Sequence, residues 1–371
     1  MERVLSEKYK KTSCDNKYIL GIESSCDDTG IALILGDEIV ANTVLKQEHK
    51  KGVIPEYAAR AHHVALFEHS HSIIQDFSID LIAYTSQPGL IGSLFVGANF
   101  AKSLAYTLGV PSIGINHLVG HILLPYWLDR NAACNVGKKI CFPYLCLLVS
   151  GGHTMIILVE NVGQYKILAT TLDDAVGEVF DKVARNIGLD YPGGPHIEQL
   201  ASIVSESSYS RQSLLDEGCD MFMQDKRKYK FPFVMKNRQE FSFSGLKTAA
   251  IEQITNDAAI EDKAQFCRDF QDHVAFLLAQ KMQQVHNQLQ DSGYDLAHWV
   301  VSGGVAANKT IRAKLDEVSL ACNAQVHYPP VELCTDNGVM IACVGQLMFD
   351  RAISQNLDEM LSKKPNSISN L

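Results

Sequence analysis

Tyr144-Leu-Cys-Leu-Leu-Val-Ser150-Gly-Gly-His-Thr-Met-Ile-Ile-Leu-Val159 reads as an apolar strand, a small polar turn and a second apolar strand. It repeats an earlier stretch, Tyr18-Ile-Leu-Gly-Ile-Glu-Ser-Ser-Cys-Asp-Asp-Thr-Gly-Ile-Ala-Leu-Ile-Leu35, with Ser150 standing where Ser24 stands. Internal duplication accounts for both. It predicts an α/β protein of two similar halves, each opening on a hairpin whose tip faces a shared cleft that could clamp one phosphate chain.

Working outward, Val301-Ser302-Gly303-Gly304-Val305-Ala306-Ala307-Asn308 is a third glycine-rich turn of a different kind. A strand from His298 runs into it and a helix from Lys309 to Val318 leaves it, which points helix N-terminal amides at an anion or nucleoside. A plain strand-to-helix turn has the same pattern. Small and apolar residues at helical spacing predict a helix from Pro55 to Ile74, whose His62, His63, His69 and His71 read as surface or interface residues. A buried strand at Leu81–Tyr84, a loop at 86–93 opening a helix through Leu108, and a strand at Ser112–Ile115 follow. Residues 129–139 read as a linker. A long amphipathic helix is expected from about Lys263 to Gln290, and disorder after about residue 361.

A chain of 371 residues has length for about two domains, and its 46% apolar and 20% charged residues are those of an ordinary soluble protein. No apolar run approaches the ~18 residues of a membrane helix, so no membrane span is expected. Met1–Lys17 lacks the apolar stretch of a secretory signal and reads as a cytoplasmic extension. A mitochondrial presequence is the alternative, against which stand three acids and a single Arg. The ten cysteines include no C-x-x-C pair and read as reduced, buried thiols. A net charge of −9 argues against general coating of nucleic acid. Yet Lys226, Arg227, Lys228, Lys230, Lys236 and Arg238 fall together without an acid, interleaved with Tyr229, Phe231 and Phe233. Two readings stay open for that run: an RNA backbone-and-base surface, or a solvated loop.

Gly114-Ile-Asn-His117-Leu-Val-Gly-His121 puts two histidines four apart on one helix face, about 6 Å along the axis. That is a metal-ligand spacing which chance could also produce among thirteen histidines. In the first turn Ser24, Ser25 and Thr29 offer hydroxyls, Gly30 admits close backbone approach, and Asp27 and Asp28 could hold a metal or position a nucleophile. An Asx-rich β-turn is the plainer account. A metal beside nucleotide phosphates makes sense of the histidine pair and the glycine turns together.

Seven motifs, in order, carry a resemblance: Gly-Ile-Glu-Ser-Ser-Cys-Asp-Asp-Thr-Gly, Asn-His-Leu-Val-Gly-His, Leu-Leu-Val-Ser-Gly-Gly-His-Thr, Asp-Tyr-Pro-Gly-Gly-Pro, Phe-Ser-Phe-Ser-Gly-Leu-Lys-Thr, Gly-Gly-Val-Ala-Ala-Asn and Cys-Thr-Asp-Asn-Gly. From about Tyr18 to Phe349 the chain resembles the tRNA N6-adenosine threonylcarbamoyltransferases of bacterial and mitochondrial type. The resemblance implies the actin-like ATPase fold of the sugar kinase, heat-shock chaperone and actin superfamily, with two duplicated ribonuclease-H-like lobes. Its implied organisation is an extension at 1–17, an N-terminal lobe at 18–130 completed by 335–361, a C-terminal lobe at 140–334 and a disordered tail at 362–371.

By position it implies His117, His121 and Asp336 as ligands of one Fe2+ or Zn2+ per subunit. Leu148, Val149, Ser150, Gly151 and Gly152 become the phosphate-side loop for threonylcarbamoyl-AMP or ATP, and Asp181, Gly194 and Asn308 nucleoside contacts. The implied reaction moves threonylcarbamoyl from threonylcarbamoyl-AMP to N6 of the adenosine 3′ of the anticodon, in tRNAs reading codons that begin with A. Asp27 or Asp28 is assigned the proton from position alone. Implied partners are tRNA, an upstream threonylcarbamoyl-AMP synthase and, for the bacterial type, an inactive paralogue of the same fold with a small P-loop ATPase. The mitochondrial type works as a homodimer.

Gln87 departs from the family's usual Gly, Lys51-Gly52 from a Gly pair, and the linker after Asp129 is longer than usual; Leu148 stands where the archaeal and cytosolic branch carries Tyr. A small-molecule kinase would share the fold without needing the histidine pair. A metalloprotease would need Glu after the first histidine, where Leu118 stands. All three ligand positions are present, which counts against a catalytically silent ATP-binding scaffold.

Overall fold

The computed structural model describes residues 17–47, 53–131, 139–204, 228–233, 238–256 and 263–355. The remainder of the expected N-terminal extension, residues 132–138 of the linker and the 362–371 tail lie outside the described residues. Both hairpins form as antiparallel pairs, β1 (Tyr18–Glu23) with β2 (Thr29–Leu35), and β6 (Tyr144–Val149) with β7 (Thr154–Asn161). In the first sheet β3 (Glu38–Leu45) extends β2, while β4 (Leu81–Gln87) and β5 (Ser112–Asn116) run parallel, giving the order β3-β2-β1-β4-β5. In the second, β8 (Gln164–Thr170), β9 (His298–Ser302) and β10 (Gln325–His327) take the same places, β8-β7-β6-β9-β10. Matching topology is what duplication of a hairpin-led unit produces.

Five layers result. Helices α1 (Pro55–Asp76) and α2 (Ile91–Leu108) cover the outer face of the first sheet, over Leu20, Ile22, Leu33 and Tyr84. The outer face of the second sheet packs under α4 (Val176–Asn186), α5 (Gly193–Ala201), α6 (Ser244–Asn256), α7 (Lys263–Asp291) and α8 (Lys309–Ala321). Between the sheets lie α3 (His117–Asn131) and α9 (Gly338–Gln355), whose apolar residues share one core with Ile19 and Ile113 of one sheet and Tyr144 and Ile157 of the other. The buried indole of Trp127 on α3 donates to Gln346 Oε1 on α9 at 2.6 Å, tying the middle layer together. α9 lies so close to β1 that a Cβ on Gly21 would fall 2.1 Å from the Gly338 carbonyl oxygen.

The basic run reads differently once folded. Tyr229 and Phe231 are buried against Phe266 and Phe270 of α7, so they are core rings and not the base-stacking surface that the sequence allowed. Lys228 and Lys230, alternating with them, are exposed. Lys226, Arg227 and Lys236 lie outside the described residues.

Candidate metal centre and substrate cleft

β1, β4 and β5 are parallel and end along one edge of their sheet, the edge where open α/β sheets place their sites. At the end of β5, Asn116 Oδ1 accepts from the amides of Leu118 and Val119 at 2.9 and 3.4 Å, capping α3 where His117 begins it. His121 follows one turn on, its ring centroid 4.9 Å from that of His117. A Cβ on Gly120 would meet Met340 Cγ at 3.0 Å, so its absence lets α3 and α9 cross closely. Asn337 fixes the turn before α9: its Oδ1 accepts from the Met340 amide at 3.0 Å, and its Nδ2 donates to the Leu333 and Thr335 carbonyls. That turn delivers Asp336, whose Oδ1 stands 3.1 Å from His121 Nε2 and 3.5 Å from His117 Nε2.

The three ligand atoms lie within 4.8 Å of one another. An ion with bonds of about 2.0–2.2 Å holds its donors roughly 3–3.5 Å apart, so both carboxylate–imidazole spacings suit a single ion. Two imidazoles and one carboxylate leave coordination positions open, the donor set of catalytic zinc or non-haem iron. The Asp336 side chain keeps 29% exposure, which opens the centre to the cleft. Burial disfavours charge on His117, but Glu23 and Asp336 outweigh it and push the imidazole up to about 9. Burial would likewise raise Asp336, yet His117 and His121 hold it well below the usual carboxylate range. A proton on His117 thus stands where a bound cation would compensate two carboxylates.

The first turn docks onto this centre. Ser25 Oγ and Glu23 Oε2 each lie 3.1 Å from His117 Nδ1. Behind the turn, His62 of α1 is buried, its Nδ1 2.7 Å from the Thr29 hydroxyl and its Nε2 3.0 Å from the Cys26 carbonyl. It is therefore a brace and not the surface residue that its helix suggested, whereas His63, His69 and His71 are exposed. Gly89 packs against the same turn, where a Cβ would meet the Ser25 carbonyl oxygen at 2.3 Å. Burial, then the charges of Asp27 and Asp336, push Asp28 up to about 7 against the pull of Lys46. Tyr191, just before α5, is pushed up to about 12 by burial and then by Asp27 and Asp181, which sets the first turn opposite the second lobe.

In the second turn the expected loop divides. Leu148 and Val149 are the end of β6, fully buried, with side chains in the two opposite cores. Only Ser150, Gly151 and Gly152 open to the cleft, and Ser150 Oγ accepts from the amides of Gly152 and His153 at 3.3 and 3.1 Å. A Cβ on Gly151, Gly152 or Gly194 would meet nothing within 4 Å, the open room a phosphate or nucleoside needs. Asp181 Oδ1 accepts from the Gly193 amide at 2.7 Å, fixing the start of α5. Asn308 caps α8 by accepting from the Ile311 amide at 3.0 Å and donates to Gln271 Oε1 at 2.7 Å, so its amide is engaged within the protein. The third turn abuts the second, since a Cβ on Gly303 would fall 2.3 Å from the Val149 carbonyl oxygen. His153 was not singled out from sequence; burial and then the charges of His117 and His121 push it down to about 4, which puts it beside the candidate ligands.

A model of the family described as tRNA N6-adenosine threonylcarbamoyltransferase matches residues 38–343. The chain is 39% identical over 349 residues to the protein so named in Francisella tularensis subsp. novicida (strain U112), covering 89% of this chain and 94% of that one. It is 40% identical over 367 residues to that of Polynucleobacter asymbioticus, covering 91% and 93%. The chain belongs to the tRNA N6-adenosine threonylcarbamoyltransferase family. As a member, it is a transferase that modifies adenosine N6 in tRNA, and neither the kinase nor the silent-scaffold reading is favoured. The fold is shared with full-length HypF in its phosphate- and nucleotide-bound form, at a TM-score of 0.55 and 12% identity over 93% of this chain and 48% of that one. HypF of T. kodakarensis gives 0.56 and 13% over 91% and 48%, so the chain spans about half of HypF. These likenesses bear on the fold alone, which is the actin-like ATPase architecture that the family resemblance implies.

Proposed function

We propose that this transferase takes its acyl group from threonylcarbamoyl-AMP and delivers it to the adenosine 3′ of the anticodon in tRNAs reading codons that begin with A, with one Fe2+ or Zn2+ held by His117, His121 and Asp336. The observation that carries this reading is that donor trio together with the open glycines Gly151 and Gly152 of the second turn and Gly194 at the start of α5, which leave room for a phosphate and a nucleoside. Bound there, the ion supplies Lewis-acid polarisation of an acyl or phosphate oxygen. Gly151 and Gly152 leave the backbone bare for the phosphate, and Asp181 and Gly193 set the α5 N-terminus toward the nucleoside. Adenine N6 is a weak nucleophile because its lone pair is delocalised into the ring, so activating the acyl donor matters more than base strength. Asp28, half protonated near neutral pH, takes the N6 proton in preference to Asp27.

Lys228 and Lys230 are exposed and suit tRNA phosphates. The paired helices α1 and α2 present Tyr57, Phe67, Ile91, Phe95 and Tyr106 outward, Phe67 at 72% exposure, and this apolar face suits an inactive paralogue of the same fold or a second copy. A small P-loop ATPase and an upstream synthase complete the bacterial arrangement. Among the described residues no helix is long and apolar enough to cross a membrane. The compartment proposed with this function is the cytoplasm, with the mitochondrial matrix as the alternative. The test mixes purified protein with tRNA and synthetic threonylcarbamoyl-AMP, with and without those helpers. Modified adenosine at that one position supports the reading, and sustained turnover without helpers selects the homodimer. Modification from threonine, bicarbonate and ATP by this chain alone would overturn the division of labour.

A further inference from the structure

Glu23, within the first motif, is fully buried at the end of β1. Its Oε1 accepts from the Ser25 amide at 2.6 Å, and its Oε2 accepts from the Thr85 hydroxyl at 2.5 Å while lying 3.1 Å from His117 Nδ1. Across the ring, His117 Nε2 faces Asp336 Oδ1 at 3.5 Å. The two histidines are therefore not equivalent: His121 Nδ1 is buried with no hydrogen-bond partner, whereas His117 Nδ1 meets the Ser25 hydroxyl and a carboxylate that is itself held by Thr85 of β4 and by the Ser25 amide in the turn after β1.

We infer that Glu23 is the positioning residue of the metal centre, holding His117 as the Nδ1–H tautomer with Nε2 presented to the ion. This rests on the reading of His117, His121 and Asp336 as metal ligands. A neutral imidazole binds a metal through one nitrogen only, and a carboxylate on the other fixes both tautomer and ring plane; loss of such a partner costs about 10- to 100-fold in metal affinity. Thr85, on the neighbouring strand β4, in turn fixes Glu23, so the chain of orientation runs from the sheet to the ligand.

The experiment compares wild type, Glu23→Gln and Thr85→Val as full chains, with one equivalent of Co2+ or Zn2+. Competition against a chromophoric chelator gives the dissociation constant, and the visible spectrum of the Co2+ form reports ligand geometry. Glu23→Gln should still take one equivalent of Zn2+, bound about 10- to 100-fold more weakly, with an altered Co2+ spectrum. Thr85→Val, which keeps the shape and the carboxylate, should weaken binding by less than Glu23→Gln and in the same direction, and it carries the test if Glu23→Gln fails to fold. Unchanged affinity and superimposable spectra in the folded variants would overturn the role of Glu23 while leaving the metal site standing. A wild type that takes up no metal would instead remove the site beneath it.

Discussion

Replacing His62 by alanine should loosen the first turn from behind. The ring is buried and bridges the Thr29 hydroxyl at 2.7 Å and the Cys26 carbonyl at 3.0 Å. Large-to-small changes in a core cost about 2–5 kcal/mol. Each buried polar group left unpaired adds about 1–3 kcal/mol. The Thr29 hydroxyl can turn and water can enter a polar void, so the low end applies, about 3 kcal/mol in all. For a chain of this size that lowers the melting temperature by roughly 4 °C. Burial also holds the His62 pKa below the ordinary imidazole value, so the ring enters the fold neutral. The unfolded chain gains a proton near pH 6.5 and the folded chain does not. The stabilisation is therefore complete above the unfolded value and shrinks as pH falls toward the folded one. Urea denaturation followed by circular dichroism should show the widest gap between wild type and His62→Ala at pH 8 and a narrower gap at pH 5.5. A gap that is negligible at pH 8, or constant across that range, would refute the bracing argument.

His121→Ala should remove most of the bound metal, because one of three protein ligands is gone; full content by elemental analysis would reject the ligand set. Lys228→Glu with Lys230→Glu should weaken tRNA binding and flatten the salt dependence by up to about two units of log–log slope, with nucleotide binding unchanged; an identical slope would return both lysines to mere solvation. Asp28→Asn should lower the transfer rate by about 100-fold or more. It should also abolish a rise in rate through about pH 7, the value to which burial and Asp27 push the Asp28 carboxyl; a variant that keeps this limb would exonerate Asp28.

The parts of this molecule that repeat were legible in its sequence. Two strand–turn–strand stretches alternate apolar residues with small polar tips, and period and turn chemistry alone specify a hairpin. His117 and His121 were legible because helical spacing fixes their shared face, whereas Asp336 lies far along the chain and reaches them only because Gly120 and Gly338 let α9 pack tightly between sheet and helix. The place of Tyr229 and Phe231 stayed open in the sequence because alternation with lysine marks one buried and one wet side without saying what covers the first. His62 and Glu23 had no local signal at all. A polar residue braced by partners on other elements looks, in sequence, like any exposed one.

Nucleoside mass spectrometry of tRNA tests the central claim most directly, in cells depleted of this protein and complemented with wild type or with Asp336→Asn. Threonylcarbamoyladenosine should vanish on depletion, return with wild type and stay absent with Asp336→Asn at equal protein level. Undiminished modification after depletion would contradict the assigned activity, and full restoration by Asp336→Asn would contradict the assigned site.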